Sequence, residues 1–238
     1  ALPIYPTIDK WEHYTRYGDS PNTLSHHSVL SLHKDMQGNI WVGTYYGGVN
    51  VFNPSKTSNH FYYAKPLQED CLSFPVVGKM AEDSSGRLWI CTEGGGLNCY
   101  NADTGIFTRY QHRKGDASSV GSNNLKSIFY RKENERLYVG AHLGGIFVLD
   151  LKSNKGHTLH NIVGDPTSLP HEIVNDIQEY KDGLALLTQG GVAFMDPVTE
   201  KFSPLSNDVN VRKLLNKRYA FETFLIDSRQ RMWLASVN

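Results

Sequence analysis

Apolar residues in this chain gather in short runs, separated by turns rich in Asp, Gly and Asn. Runs of that length bounded by such turns read as strands. The clearest stretch is Asn39 to Phe52, NIWVGTYYGGVNVF, which predicts two strands joined at Gly47-Gly48. Ile40, Trp41, Val42 and Thr44 fall on the first strand, and Val49, Val51 and Phe52 on the second. The stretch returns as RLWICTEGGGLNCY at 87–100, RLYVGAHLGGIFVL at 136–149 and GLALLTQGGVAFM at 183–195, and in part as RMWLASVN at 231–238. Counted from the glycine pairs, the anchors Trp41, Trp89, Tyr138, Leu184 and Trp233 stand 48, 49, 46 and 49 residues apart. A strand-built period of about 40–50 residues marks a propeller-type array.

Each repeat resolves into four strand-like pieces. An apolar run (Val29-Leu32, Val77-Met80, Leu125-Ile128, Val174-Ile177, Phe221-Phe224) precedes a polar turn such as Asp35 to Asn39. The anchor strand, the glycine turn and a third strand follow. An aromatic-rich fourth, such as Phe61-Tyr62-Tyr63, ends the repeat. In Ile40-Trp41-Val42-Gly43 both faces of the strand are apolar, where a half-solvated strand would alternate. Both faces must be covered, as they are when blades stack radially. Gly43 and Gly140 would leave room for a neighbour's side chain. The expected fold is all-β, a β-propeller of about five four-stranded antiparallel blades, either a closed ring or an arc of a larger one.

The expected blades lie near 24–63, 75–111, 124–159 and 172–205, with a split blade from 221–238 and 1–17. Its halves would join by pairing Ile4-Tyr5 with Trp233-Leu234, since leaving them apart exposes strand edges and the Trp233 face. Closure is therefore the slightly favoured arrangement. A turn or two of helix is expected only at Asn207–Tyr219.

With 24 basic and 24 acidic residues among 238, the formal net charge is zero, which gives no footprint for nucleic acid. No run of about 18 apolar residues predicts a membrane span within the chain. The first residues, ALPIYP, lack the basic start and apolar core of a signal peptide. Cys91 and Cys99 flank the second glycine turn and could face each other across paired strands. Small buried thiols are the favoured reading over a disulfide, with Cys91 filling the space of Gly43 and Gly140. Cys71 has no evident partner.

Ser28-Val29 to Leu32, Asn39 to Val49, and the loops Asp19–Leu24 and Asp165–Leu169 together resemble the two-component regulator propeller repeat. The resemblance runs over most of the chain, with Tyr138 and then Leu184 in place of the anchor Trp. It implies the extracytoplasmic, periplasmic sensor region of a hybrid two-component histidine kinase, as found in gut Bacteroidetes, where such regions sense glycans. It also implies a homodimer through the parent sensor. Those regions carry more blades, a β-sandwich, a membrane helix and kinase domains beyond what is present here.

No HExxH, CxxC, GxSxG or phosphate-cradling motif occurs. His26-His27 would point to opposite sides of an extended chain and are loop-edge imidazoles. No catalytic residue, metal site or cofactor is expected. The loops vary where the framework does not, and in a propeller they gather on one face, where function tends to sit. The candidate ligand-binding residues are therefore Tyr45, Tyr46, Glu93, Asn123, His142, His171 and Gln189. Aromatic faces with amides and carboxylates suit an oligosaccharide or another small molecule. The alternative is a lyase on a related propeller, acting on a glycan or a streptogramin-like substrate. It would need His142, His171, Glu93 and Glu172 to converge with a divalent metal at the axis.

Overall fold

A computed structural model describes residues 23–53, 59–65, 68, 70–206, 213 and 221–235. Its architecture is all-β. Blade one comprises β1 (Val29–Lys34), β2 (Ile40–Thr44), β3 (Val49–Phe52) and β4 (Asn59–Tyr62). Blade two comprises β5 (Val77–Glu82), β6 (Leu88–Thr92), β7 (Gly96–Asn101) and β8 (Ile106–Tyr110). Blade three comprises β9 (Leu125–Arg131), β10 (Arg136–Ala141), β11 (Ile146–Asp150) and β12 (Lys155–Leu159). Blade four comprises β13 (Val174–Tyr180), β14 (Gly183–Thr188), β15 (Gly191–Met195) and β16 (Phe202–Pro204). The fifth sheet pairs β17 (Thr223–Ile226) with β18 (Met232–Ala235). Within every sheet the strands follow chain order and run antiparallel. Residues 1–17, expected to complete the fifth blade, lie outside the described residues, as does the helical turn expected at 207–219 except for Lys213.

The first strand of each blade lies beside that of the next: β1 by β5, β5 by β9, β9 by β13 and β13 by β17. The core sits in the seams. Trp41, Val49 and Val51 pack against Val77, Met80 and Ile90 in the first seam. Trp89, Cys91 and Leu97 meet Leu125, Ile128 and Val139 in the second, and Tyr138, Ile146 and Val148 meet Val174, Ile177 and Leu186 in the third. All residues of β6 and β14 are buried, as the two-sided apolar pattern requires. The expected role of the strand glycines holds. A Cβ on Gly43 would meet Val77 Cγ1 at 2.8 Å, and one on Gly140 would meet Val174 Cγ1 at 2.8 Å. The end blades lack such cover. Leu32 is 59% exposed where Met80 is 9%, and Trp233 is 56% exposed where Trp89 is fully buried.

A recurring polar device fixes each anchor. Asp35 Oδ2 accepts the Trp41 indole N–H at 2.7 Å, Asp83 Oδ2 that of Trp89 at 2.8 Å, and Asp227 Oδ2 that of Trp233 at 3.1 Å. The same carboxylates accept backbone N–H groups of their own turns. Blade three substitutes a bond from Asn134 Nδ2 to the Tyr138 hydroxyl at 2.9 Å. Below the anchor, Thr44, Thr92 and Thr188 donate to the carbonyls of Gly48, Gly96 and Gly191. Those glycines have φ of 72°, 81° and 115°, conformations an L side chain avoids.

This register corrects one sequence reading. Trp41, Trp89 and Tyr138 each precede the last residue of their strand's glycine turn by the same offset, and each faces a small residue on the third strand: Val51, Cys99 and Val148. In blade four the residue in that register is Ala185, not Leu184, and it faces Phe194. The turn from Thr188 to Gly191 is one residue shorter than that from Thr92 to Gly96, so counting back from the glycines lands one position early. The bulk has moved across the pair, small anchor opposite large partner, which conserves seam volume.

The cysteine register is equally specific. Cys91 lies opposite Leu97, and Cys99 opposite Trp89, so the two thiols do not face each other. Both are buried and free. Cys91 Sγ reaches toward the Ser127 carbonyl of the next blade at 3.6 Å.

Candidate functional site

The loops expected to share one face are stitched together by backbone. The segment entering each first strand accepts N–H groups from the glycine turn of the preceding blade. Gly48 N–H bonds to Pro75 O at 3.0 Å, and Gly94 and Gly96 both bond to Asn123 O at 2.9 Å. Gly144 and Gly145 bond to Glu172 O at 3.1 and 3.0 Å. These contacts set the glycine turns of blades one to three against the entry loops of blades two to four.

Three of the seven candidates come together. The Tyr45 and Tyr46 rings meet edge to face at 4.6 Å, and both are exposed. The Tyr45 phenol is held above its ordinary pKa, first by the neighbouring Tyr46 phenol and last by the charge of Glu93. His26 stands edge-on to Tyr45 at 6.3 Å. Glu93 Oε1 is bound by Lys126 Nζ at 2.8 Å, a partner that sequence reasoning passed over. The Tyr45-Tyr46 pair stands on the glycine turn of blade one, and the Glu93–Lys126 pair joins the glycine turn of blade two to the first strand of blade three.

Tyr46 carries a φ of 69°. The equivalent position is Gly94 (φ 139°) in blade two and Leu143 (φ 56°) in blade three. The turn demands a left-handed residue, which glycine adopts freely and a side chain adopts at a cost of about 1–2 kcal/mol. A strained, exposed tyrosine beside a second tyrosine is a flat amphipathic surface held rigidly outward.

Two of the other four candidates have side chains bonded within their own loops. Asn123 Oδ1 accepts the His112 N–H at 2.7 Å. His171 Nδ1 accepts the Ile173 N–H at 3.1 Å within its own loop. His142 and Gln189 are tied through their backbone N–H groups to Asn124 O and Ile173 O. The acidic groups of the lyase alternative are also engaged: Glu172 binds His160 Nδ1 at 3.0 Å and the Asn161 N–H at 2.7 Å. Among the described residues no group of three His, Cys, Asp or Glu gathers as a metal site. Sequence reasoning also missed the pairs Asn50–Ser25 and Asn98–Ser73. In each, the Asn side chain accepts the serine N–H and donates to its hydroxyl at 2.8–2.9 Å. The identical separation of 25 residues was the available signal.

Residues 23–46 and 71–94 match the family model of the two component regulator propeller. No curated protein matches the chain. Among solved structures, the chain is similar to the extracellular domain of a protein described as a hybrid two component system from B. thetaiotaomicron. They share 24% identity at a TM-score of 0.72, over 93% of this chain and 29% of that one. A second such domain from the same organism is 22% identical at a TM-score of 0.68, over 88% of this chain and 28% of that one. A streptogramin B lyase shares the fold at 14% identity and a TM-score of 0.62, over 92% of this chain and 64% of that one. The chain therefore spans under a third of the two-component structures it matches, and it is a β-propeller in which two stretches match the two component regulator propeller model.

Proposed function

We propose that the chain is a ligand-sensing segment of the extracytoplasmic, periplasmic sensor of a hybrid two-component system. It responds to a carbohydrate and has no catalytic turnover of its own. The parent is a histidine kinase that works as a homodimer. The observation that carries this reading is the exposed Tyr45-Tyr46 pair, on a turn inside one of the two stretches that match the regulator propeller family. The similarity in fold to extracellular domains of two-component systems supports the cellular side of it. Flat aromatic faces bind the C–H face of a sugar ring at low entropic cost, and the Glu93–Lys126 pair offers an acceptor and a donor to hydroxyls.

Calorimetric titration of the purified chain against an oligosaccharide panel tests the proposal. Saturable heat lost in Tyr45→Ala and Tyr46→Ala supports it. Reproducible cleavage of any glycan by the chain would overturn the non-catalytic part.

A further inference from the structure

The seam between blades two and three differs from its neighbours at one register position. In blade two Phe107, opposite Tyr100, is buried in the seam with blade one. In blade four Phe202, opposite Met195, is buried in the seam with blade three. The equivalent residue in blade three, opposite Leu149, is Gly156. Beside it a groove of about 720 Å³ lies between the end of β8 and the outer strands of blade three. That is within the roughly 300–1,000 Å³ range of small-molecule sites. Phe147, 2% exposed, leans over Gly156, where a Cβ would overlap its ring, so the glycine is needed to seat that ring beneath the groove. Tyr110 forms the opposite wall, its hydroxyl donating to Asn154 Oδ1 at 3.1 Å.

The charge of this groove is one-sided. Among the described residues no Asp or Glu lines it, although the chain as a whole is balanced. Of its cations, Arg109 is committed to the carbonyls of Gln68, Cys71 and Leu72. Arg113 pairs with Asp116 at 2.7 Å. Lys155 is exposed and makes no ion pair among the described residues. His112 donates from Nδ1 to Val120 O at 2.8 Å, which leaves Nε2 for a further bond. A half-exposed tyrosine wall, a free ammonium and an imidazole fit a ring-shaped ligand that carries a carboxylate.

We propose that this seam groove is a second binding site, specific for an acidic oligosaccharide whose uronate carboxylate meets Lys155. It rests on the reading of the protein as a carbohydrate sensor but occupies a different surface from the Tyr45-Tyr46 patch. The test is calorimetric titration of the full chain with a uronic-acid tetrasaccharide and with a neutral tetrasaccharide of the same linkage. The acidic sugar should bind at least about tenfold more tightly, and Lys155→Glu should weaken it by about tenfold or more, the scale of a charge-assisted contact. Tyr45→Ala should leave that binding unchanged. The pair Phe147→Asn with Gly156→Phe installs the residues of blade two and should abolish it by filling the groove. Equal affinity for the two sugars, or indifference to both Lys155→Glu and the filling pair, overturns the proposal. If binding instead depends on Tyr45 and ignores Lys155, the groove falls and the sensor reading stands. If neither sugar nor any of the panel binds, the sensor reading itself falls.

Discussion

Lys79, on the first strand of blade two, places its Nζ 2.5 Å from Oδ1 of Asp176, on the first strand of blade four. The bond passes across blade three and ties two sheets that share no seam. Its partners are unequally placed: the Asp176 side chain is 1% exposed and that of Lys79 39%. Asp176 also accepts from Thr223 Oγ1 at 2.9 Å and from the Ile177 N–H at 2.8 Å, so blade five is joined to the same carboxylate. Breaking a buried pair costs most on the side that leaves a charge without solvent. Lys79→Met should therefore destabilise the chain by about 1–3 kcal/mol, discounted for the partial exposure of the lysine. Asp176→Asn keeps an acceptor oxygen for one of Thr223 and the Ile177 N–H and frees an ammonium that water can reach, and should cost less. Urea midpoints of the two variants check the order; the reverse order would mean that Asp176 contributes mainly through its bonds to Thr223 and Ile177.

The anchor carboxylates give a graded prediction. Asp83 is buried beneath a fully buried Trp89 and also holds Arg87 at 2.8 Å, so Asp83→Ala strands the indole, the guanidinium and two turn N–H groups and should cost about 2–3 kcal/mol. Asp227 makes the same bonds on an exposed blade edge, so Asp227→Ala should cost clearly less. Equal losses in denaturant melts would show that burial does not set the worth of the device.

The pH dependence follows from three of these groups. Burial works to raise the Asp35 pKa, but bonds from the Trp41 indole and from Asn39 outweigh it and hold the carboxyl below its ordinary value. Asp227 is lowered chiefly by the Trp233 indole. His33 is also lowered, by burial, against the attraction of Glu82 and Asp35. In each case the unfolded chain takes up its proton first as pH falls. Stability is then present above the unfolded value and lost on acidification. The urea midpoint should fall once below about pH 6.5, a step removed by His33→Gln, and again below about pH 4, a step reduced by Asp35→Asn.

Much of this fold was legible because its signals are local. The hairpin turns announce themselves through Asp and Gly, and the two-sided apolar strands through residues such as Ile40 and Trp41. What failed was longer-range arithmetic. Dropping one residue between Thr188 and Gly191 displaced the fourth anchor from Ala185 to Leu184, and only strand register shows Phe194 supplying the missing bulk. For the site, sequence reasoning found the loops but not what each side chain does there. Asn123 and His171 look like ligand-binding residues by type, yet both accept backbone N–H groups. The seam groove was invisible because no motif marks it, and only strand register shows Gly156 standing where the neighbouring blades use Phe.

Thiol chemistry separates the three cysteines. Burial pushes the Cys99 thiol up to about 11 and the Cys91 thiol higher still, so neither supplies thiolate near neutrality. Cys71 is only half-buried. Titration of the native chain with an aromatic disulfide reagent should show one fast thiol, lost in Cys71→Ser, and two that react only on unfolding. A Cys91–Cys99 disulfide, detected by mass after mild oxidation of the native chain, would contradict the observed register.

Tyr46 offers a test in which stability and function move in opposite directions. Its φ of 69° is positive, as is the φ of 139° of Gly94, which carries no side chain at the same turn position. Tyr46→Gly removes the strain but also loosens the unfolded chain and deletes the edge-to-face contact with Tyr45, which offset part of the gain. The net effect should be a stabilisation of no more than about 1 kcal/mol. Leu143, exposed and at φ 56° in blade three, is the control: Leu143→Gly relieves the same strain where no aromatic pair exists. If the left-handed tyrosine is held for binding, Tyr46→Gly weakens oligosaccharide binding by about tenfold, the worth of one aromatic contact, while Leu143→Gly leaves it untouched. Calorimetry on the two variants decides the matter. Equal binding by both would make Tyr46 an ordinary exposed loop residue and move the search for the ligand away from the glycine turn of blade one.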